Sequence, residues 1–211
     1  MLYTYMQVTE SIFYVAVLIM SVVVHEVAHG YAASRLGDQT AVMAGRLTLN
    51  PLKHLDFIGS FLLPLLLIIS KAGFVFGWAR PVPYNPNNLR DKKWGTVIVA
   101  SAGVIANAGM VVIFSLVLRL LPLVGVTSPA LIGILSIIVL VNIVLMIFNL
   151  IPIPPLDGSK ILFAFLPPSA RRIEYYMEQY SLVVLLFFVI FLWRYIAPYI
   201  YILFHAVTGL S

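Results

Sequence analysis

Residues 11–34 read SIFYVAVLIMSVVVHEVAHGYAAS, an apolar run interrupted near its far end by His25, Glu26 and His29. About 20 apolar residues cross roughly 30 Å of hydrocarbon as a helix, so the run is long enough to span a bilayer. Ionisable side chains inside such a span are costly unless paired or liganded, which makes these three functional candidates. Gly37-Asp38 ends the helix.

The rest of the chain has the same character. Of its 211 residues 62% are hydrophobic and 10% charged, against about half and a quarter in soluble domains. The size suits one compact bundle of membrane helices, a single integral-membrane domain over 1–211. Net charge is +5, but the basic residues are scattered through short loops and build no nucleic-acid-binding face. They suit topology against anionic lipid heads instead. The absence of cysteine removes disulfides, thiolate metal sites and a thiol nucleophile. The first ten residues, MLYTYMQVTE, carry no Lys or Arg. A secretory signal peptide is therefore not expected, and the first run reads as a retained transmembrane helix.

Working outward, residues 40–50, TAVMAGRLTLN, alternate apolar with polar or small side chains around Gly45 and predict a small β-hairpin. Residues 57–70 are apolar but short and contain Pro64, which suits a re-entrant or buried segment. The stretch 72–95 is dense in Pro, Asn and charge and reads as a loop. Residues 96–121 and 130–150 are full spans, the second broken sharply by IPIPPLDG at 151–158. A last span begins near Gln179. The expected fold is an all-α polytopic membrane protein with four full spans, a re-entrant or short fifth hydrophobic segment, and a small β-hairpin after the first span. If 57–70 dips in and returns, every basic residue except Arg119 and Arg194 falls on one face, and the positive-inside rule places both termini outside.

His25-Glu26-Val27-Ala28-His29 carries the chemistry. On a helix, positions i and i+4 share one face about 6 Å apart, which suits two imidazoles gripping one zinc ion. Glu26 is placed to take a proton from a metal-activated water. The plainer alternative is a set of polar side chains satisfied by neighbouring helices. A catalytic zinc needs a third protein ligand and an open position. Asp157, in Pro154-Pro155-Leu156-Asp157-Gly158 at the end of a full span, stands out. His25 lies about 21 Å into the first span, and the span at 130–150 delivers Asp157 near that same face. An ordinary turn aspartate before glycine stays open on spacing alone.

These residues resemble the site-2 proteases, intramembrane zinc metalloproteases. The likeness rests on HEVAH at 25–29 within a transmembrane helix, NLIPIPPLDG at 149–158 and SAGVIANAG at 101–109. It implies that His25, His29 and Asp157 bind one catalytic Zn2+ and that Glu26 is the general base. The family's third motif usually reads Gly-Pro-x-x-Asn, whereas Gly103-Val104-Ile105-Ala106-Asn107 lacks the proline. Asn107 and Asn149 are candidate donors to a developing oxyanion, with interhelical hydrogen bonding as the alternative for each. The chain resembles the compact branch without PDZ or CBS domains. The resemblance further implies transmembrane-helix protein substrates, a multi-pass place in a prokaryotic cell membrane, and an active site toward the cytoplasm. Nothing in the sequence argues for a homo-oligomer.

Two other classes remain in view. A zinc carrier or scaffold without proteolytic activity would need ligands spread across the bilayer and gives Glu26 no task. A membrane protease of the prenylated-protein type takes its third ligand from a glutamate, which only Glu174 or Glu178 could supply here.

Overall fold

In a computed structural model, residues 2–56, 59, 62, 66, 69 and 80–210 are described, with the backbone alone at 2–11 and 168. The helices are α1 (Leu2–Arg35), α2 (Thr40–Met43), α3 (Lys92–Leu120), α4 (Pro129–Leu150), α5 (Asp157–Phe165) and α6 (Arg171–Gln179). α7 (Ser181–Phe187) and α8 (Trp193–Thr208) follow, joined by a π-helical turn over Phe188–Leu192. Among the described residues, stretches of α1, α3 and α4 and the α7–α8 rod are the four helices long and apolar enough to cross a membrane. The sequence fixes their ends locally. Asp91 caps α3 by accepting from Trp94 N at 2.8 Å, and Pro129 opens α4 where no backbone donor is needed. α4 stops because Ile151 precedes Pro152 and is driven to an extended conformation.

α3 is the hub, packing against α1, α4, α5 and α8. Its buried positions Gly95, Val99, Gly103, Asn107, Val111 and Ser115 recur every four residues and form one stripe. On the outside Ile98, Ile105, Val112 and Leu116 are exposed, whereas Ser21, His25, His29, Asn107 and Asn142 are buried. A soluble bundle would reverse this polarity. In lipid the apolar exterior is the correct one, and polar side chains must find partners inside.

The expected β-hairpin at 40–50 is not formed, and no strand occurs among the described residues. Thr40–Met43 is one turn of helix, started by Asp38, which accepts from both Thr40 N and Thr40 Oγ1. It closes with Gly45 N donating to Val42 O and Arg46 N to Ala41 O. Gly45, at φ 62°, is thus a left-handed C-terminal cap rather than the middle of a strand pair. The short alternation that suggested strands is outweighed by two strong local caps. The fifth segment, 57–70, lies almost wholly outside the described residues. Its flanks are nevertheless joined, because Arg80 N donates to His54 O at 2.8 Å.

A polar knot ties the end of α1 to the start of α3. Asp38 is fully buried and also accepts from Asn85 N at 2.7 Å and Asn88 Nδ2 at 2.9 Å. Arg90 N donates to Leu36 O at 3.0 Å. The extended strap 80–85 is thereby laid across α1, and Arg46 reaches its carbonyls at Arg80 and Pro81. Burial pushes the Asp38 carboxyl up, but hydrogen bonds from Thr40, Asn85 and Asn88 outweigh it and hold the group below the ordinary 3.8. Its contribution to stability is therefore complete above pH 3.8 and is lost as pH falls through the lower folded value. Asp38→Ala removes four part-buried hydrogen bonds and should cost about 2–3 kcal/mol, read as a lowered unfolding midpoint in detergent.

Candidate metal centre

α1 presents Ser21, His25 and His29 on one buried stripe, each one turn from the next. α3 crosses this stripe at Gly103. A Cβ built there would lie 2.5 Å from both His25 Cε1 and His29 Nε2. Only glycine lets the α3 backbone come so close, and the histidines are pressed away from α3 toward the start of α5. There Asp157 Oδ2 stands 3.0 Å from His25 Nε2 and 3.0 Å from His29 Nε2, and the two Nε2 atoms are 3.0 Å apart.

The far atoms of all three side chains are tied down. His29 Nδ1 lies 2.6 Å from Val99 O. A carbonyl only accepts, so Nδ1 carries the proton and Nε2 presents a lone pair. His25 Nδ1 lies 2.6 Å from Asn107 Oδ1, giving the same tautomer. Asp157 Oδ1 turns outward to Lys160 Nζ at 3.2 Å, and that ammonium also sits 5.7 Å above the Tyr84 ring.

Three acceptor atoms in contact repel one another unless a cation lies among them. The donor set, two imidazoles and a carboxylate without thiolate, is one that zinc uses in catalytic sites. Donors on a tetrahedral zinc are about 3.3 Å apart, close to the 3.0 Å sides of this triangle. The residues fit such an ion.

Glu26 stands beside the trio without belonging to it, its Oε2 accepting from Val82 N of the strap at 2.8 Å. Asn107 reaches the site through its oxygen, while its amide donates to Asn142 Oδ1 at 2.9 Å. The donor expected to face an oxyanion is engaged elsewhere. Asn149 donates back to Leu145 O of its own helix at 3.0 Å. The sequence reading brought out neither the spacing role of Gly103 nor Lys160, Asn142 and Ser21. Signals for two of these existed: Ser21 lies four residues before His25, and Asn142 is an amide in the middle of an apolar span.

The description peptidase family M50 belongs to a family model that matches residues 124–192, from the turn before α4 into the α7–α8 rod. "Putative zinc metalloprotease YwhC" of Bacillus subtilis is 40% identical over 177 residues, covering 82% of this chain and 77% of that protein. "Putative zinc metalloprotease Rip2" of Mycolicibacterium smegmatis is 35% identical over 159 residues, or 73% of this chain and 57% of its own length. The Rip2 protein of Mycobacterium tuberculosis H37Rv is 27% identical over 177 residues, covering 80% and 62%. No solved structure matches. The family model takes in Asp157 but not the histidines, whereas the relatives' similarity runs through most of the chain. Together with four apolar helices around a buried His-His-Asp cluster, that similarity means the chain belongs to peptidase family M50, the site-2 proteases.

Proposed function

We propose that this integral membrane protein is a zinc metalloendopeptidase, one membrane domain over 1–211, which hydrolyses peptide bonds of transmembrane protein substrates. The observation that carries the reading is the triangle of His25 Nε2, His29 Nε2 and Asp157 Oδ2, all 3.0 Å apart and oriented from behind. These three residues would hold the ion. When bound, zinc supplies the Lewis acidity that makes water a nucleophile near neutral pH and polarises the scissile carbonyl.

The chain's own groups do the rest. Glu26, one residue from His25 and held by Val82 N, removes the proton of the attacking water and returns it to the leaving amine. Asn107 and Val99 O keep the imidazoles in the ligating tautomer. Lys160 neutralises the outer oxygen of Asp157 and leaves the inner one for the metal. Lipid-facing helices exclude bulk water, which strengthens every charge interaction in the cleft.

The helix ends and connections near the site carry Arg35, Arg46, Lys53, Arg90, Lys92 and Lys160. By the positive-inside rule this end faces the cytoplasm of a prokaryotic cell, with both termini outside. The hydrogen bond from Arg80 N to His54 O, which puts both residues at one end of the bundle, supports that arrangement.

Co-expression with candidate single-span proteins, followed by mass spectrometry of the fragments, tests the activity. Glu26→Gln should lower cleavage by about 10³-fold while metal analysis still finds one zinc per chain. Cleavage surviving that substitution would sink the assignment. Gly103→Ala drives a methyl into both imidazoles and should weaken zinc binding by about 100-fold, read by chelator competition. A C-terminal alkaline phosphatase fusion should be active and a green fluorescent protein fusion dark; the reverse result would invert the topology.

A further inference from the structure

We propose that Asn142, in the middle of α4, is a positioning residue that selects the metal-binding tautomer of His25 by orienting Asn107. The inference rests on the reading of His25 as a metal ligand. Its starting point is an atom outside the site, the carbonyl of Ile138. Asn142 Nδ2 lies 2.8 Å from Ile138 O and 3.0 Å from Ser21 Oγ. A backbone carbonyl cannot donate, so that end of the Asn142 side chain is its NH2 group and the other end is its oxygen.

The oxygen meets Asn107 at 2.9 Å, so Asn107 must present its own NH2 there. That leaves the Asn107 oxygen facing His25 Nδ1 at 2.6 Å, and the imidazole must carry its proton on Nδ1. The Nε2 lone pair is then free toward His29 and Asp157. Each link has one allowed direction, and the direction is set at Ile138 O, three groups away from His25. Relative exposures of 2% for Ser21, 1% for Asn107 and 0% for Asn142 leave no room for water to exchange with any link.

The chain also crosses α1, α3 and α4, so it holds its polarity only while those helices are packed. Without Asn142 the Asn107 amide has no partner that distinguishes its two ends. It can then turn its NH2 to His25, whose Nδ1 becomes the acceptor and whose Nε2 takes the proton. A protonated Nε2 cannot ligate.

The test uses the full chain in detergent. Asn142→Leu keeps the approximate volume and removes all three hydrogen bonds, to Ile138 O, Ser21 and Asn107. Zinc affinity is measured by competition with a chromophoric chelator, and site geometry by the visible spectrum of the cobalt-substituted protein. Asn142→Leu should bind zinc about 10–100-fold more weakly, with altered cobalt bands. Adding Asn107→Asp in the same chain should restore affinity and spectrum, because a carboxylate offers an acceptor to His25 whichever way it turns. Wild-type affinity and spectrum in Asn142→Leu would overturn the proposal, as would a loss that Asn107→Asp fails to rescue.

Should Asn142→Leu not fold, nitrogen NMR of ring-labelled histidine in the unsubstituted metal-free protein decides. A proton on His25 Nδ1 supports the relay, and a proton on Nε2 overturns it. Failure of the unsubstituted protein to bind zinc at all would instead refute the metalloprotease reading, independently of the tautomer.

Discussion

Two imidazole nitrogens and a carboxylate oxygen held at 3.0 Å from one another inside an apolar bundle form an arrangement that cannot stand alone. Each atom presents electron density to the others, and little water is available to screen it. The surrounding structure keeps them in place by binding their opposite ends. Val99 O, Asn107 and Lys160 each take the outward atom of one side chain, so none of the three can turn away without breaking a hydrogen bond or ion pair. Positional order of this kind comes from the second layer of contacts rather than from the ligands themselves.

That layer is possible because the bundle is polar inside and apolar outside. A buried stripe at every fourth position on α3, with Gly103, Asn107 and Ser115 among its residues, faces the stripe of Ser21, His25 and His29 on α1. Gly103 sets the separation at the point of closest approach. The apolar residues Ile98, Ile105 and Val112 are left for lipid, where they require no partner. Polar pairs thus direct which helix faces which, while lipid accepts the remaining surface.

Outside the spans, Asp38 organises the mouth of the site. By binding Thr40, Asn85 and Asn88 it converts a loop into a fixed strap, and the strap in turn supplies Val82 N to Glu26. The carboxylate proposed as base is therefore positioned by a segment some 56 residues away in sequence. Lys160 stands between Asp157 and the ring of Tyr84, linking the same strap to the opposite side of the cluster.

The sequence by itself determined the four long apolar helices, because hydrocarbon thickness and the need for internal backbone pairing leave few other options. It also determined the pairing of His25 and His29, since helical spacing alone brings i and i+4 to one face. Asp157 was legible from its break after a span and from family likeness. The expected hairpin failed because a few alternating residues carry less information than the local caps at Asp38 and Gly45, and Asp38 is further held by Asn85 and Asn88. What only tertiary structure decided was the direction of each polar side chain. Asn107 turned its oxygen, not its amide, to the site, and Asn149 turned to its own helix, because an amide's orientation is set by partners on other helices that no local pattern encodes.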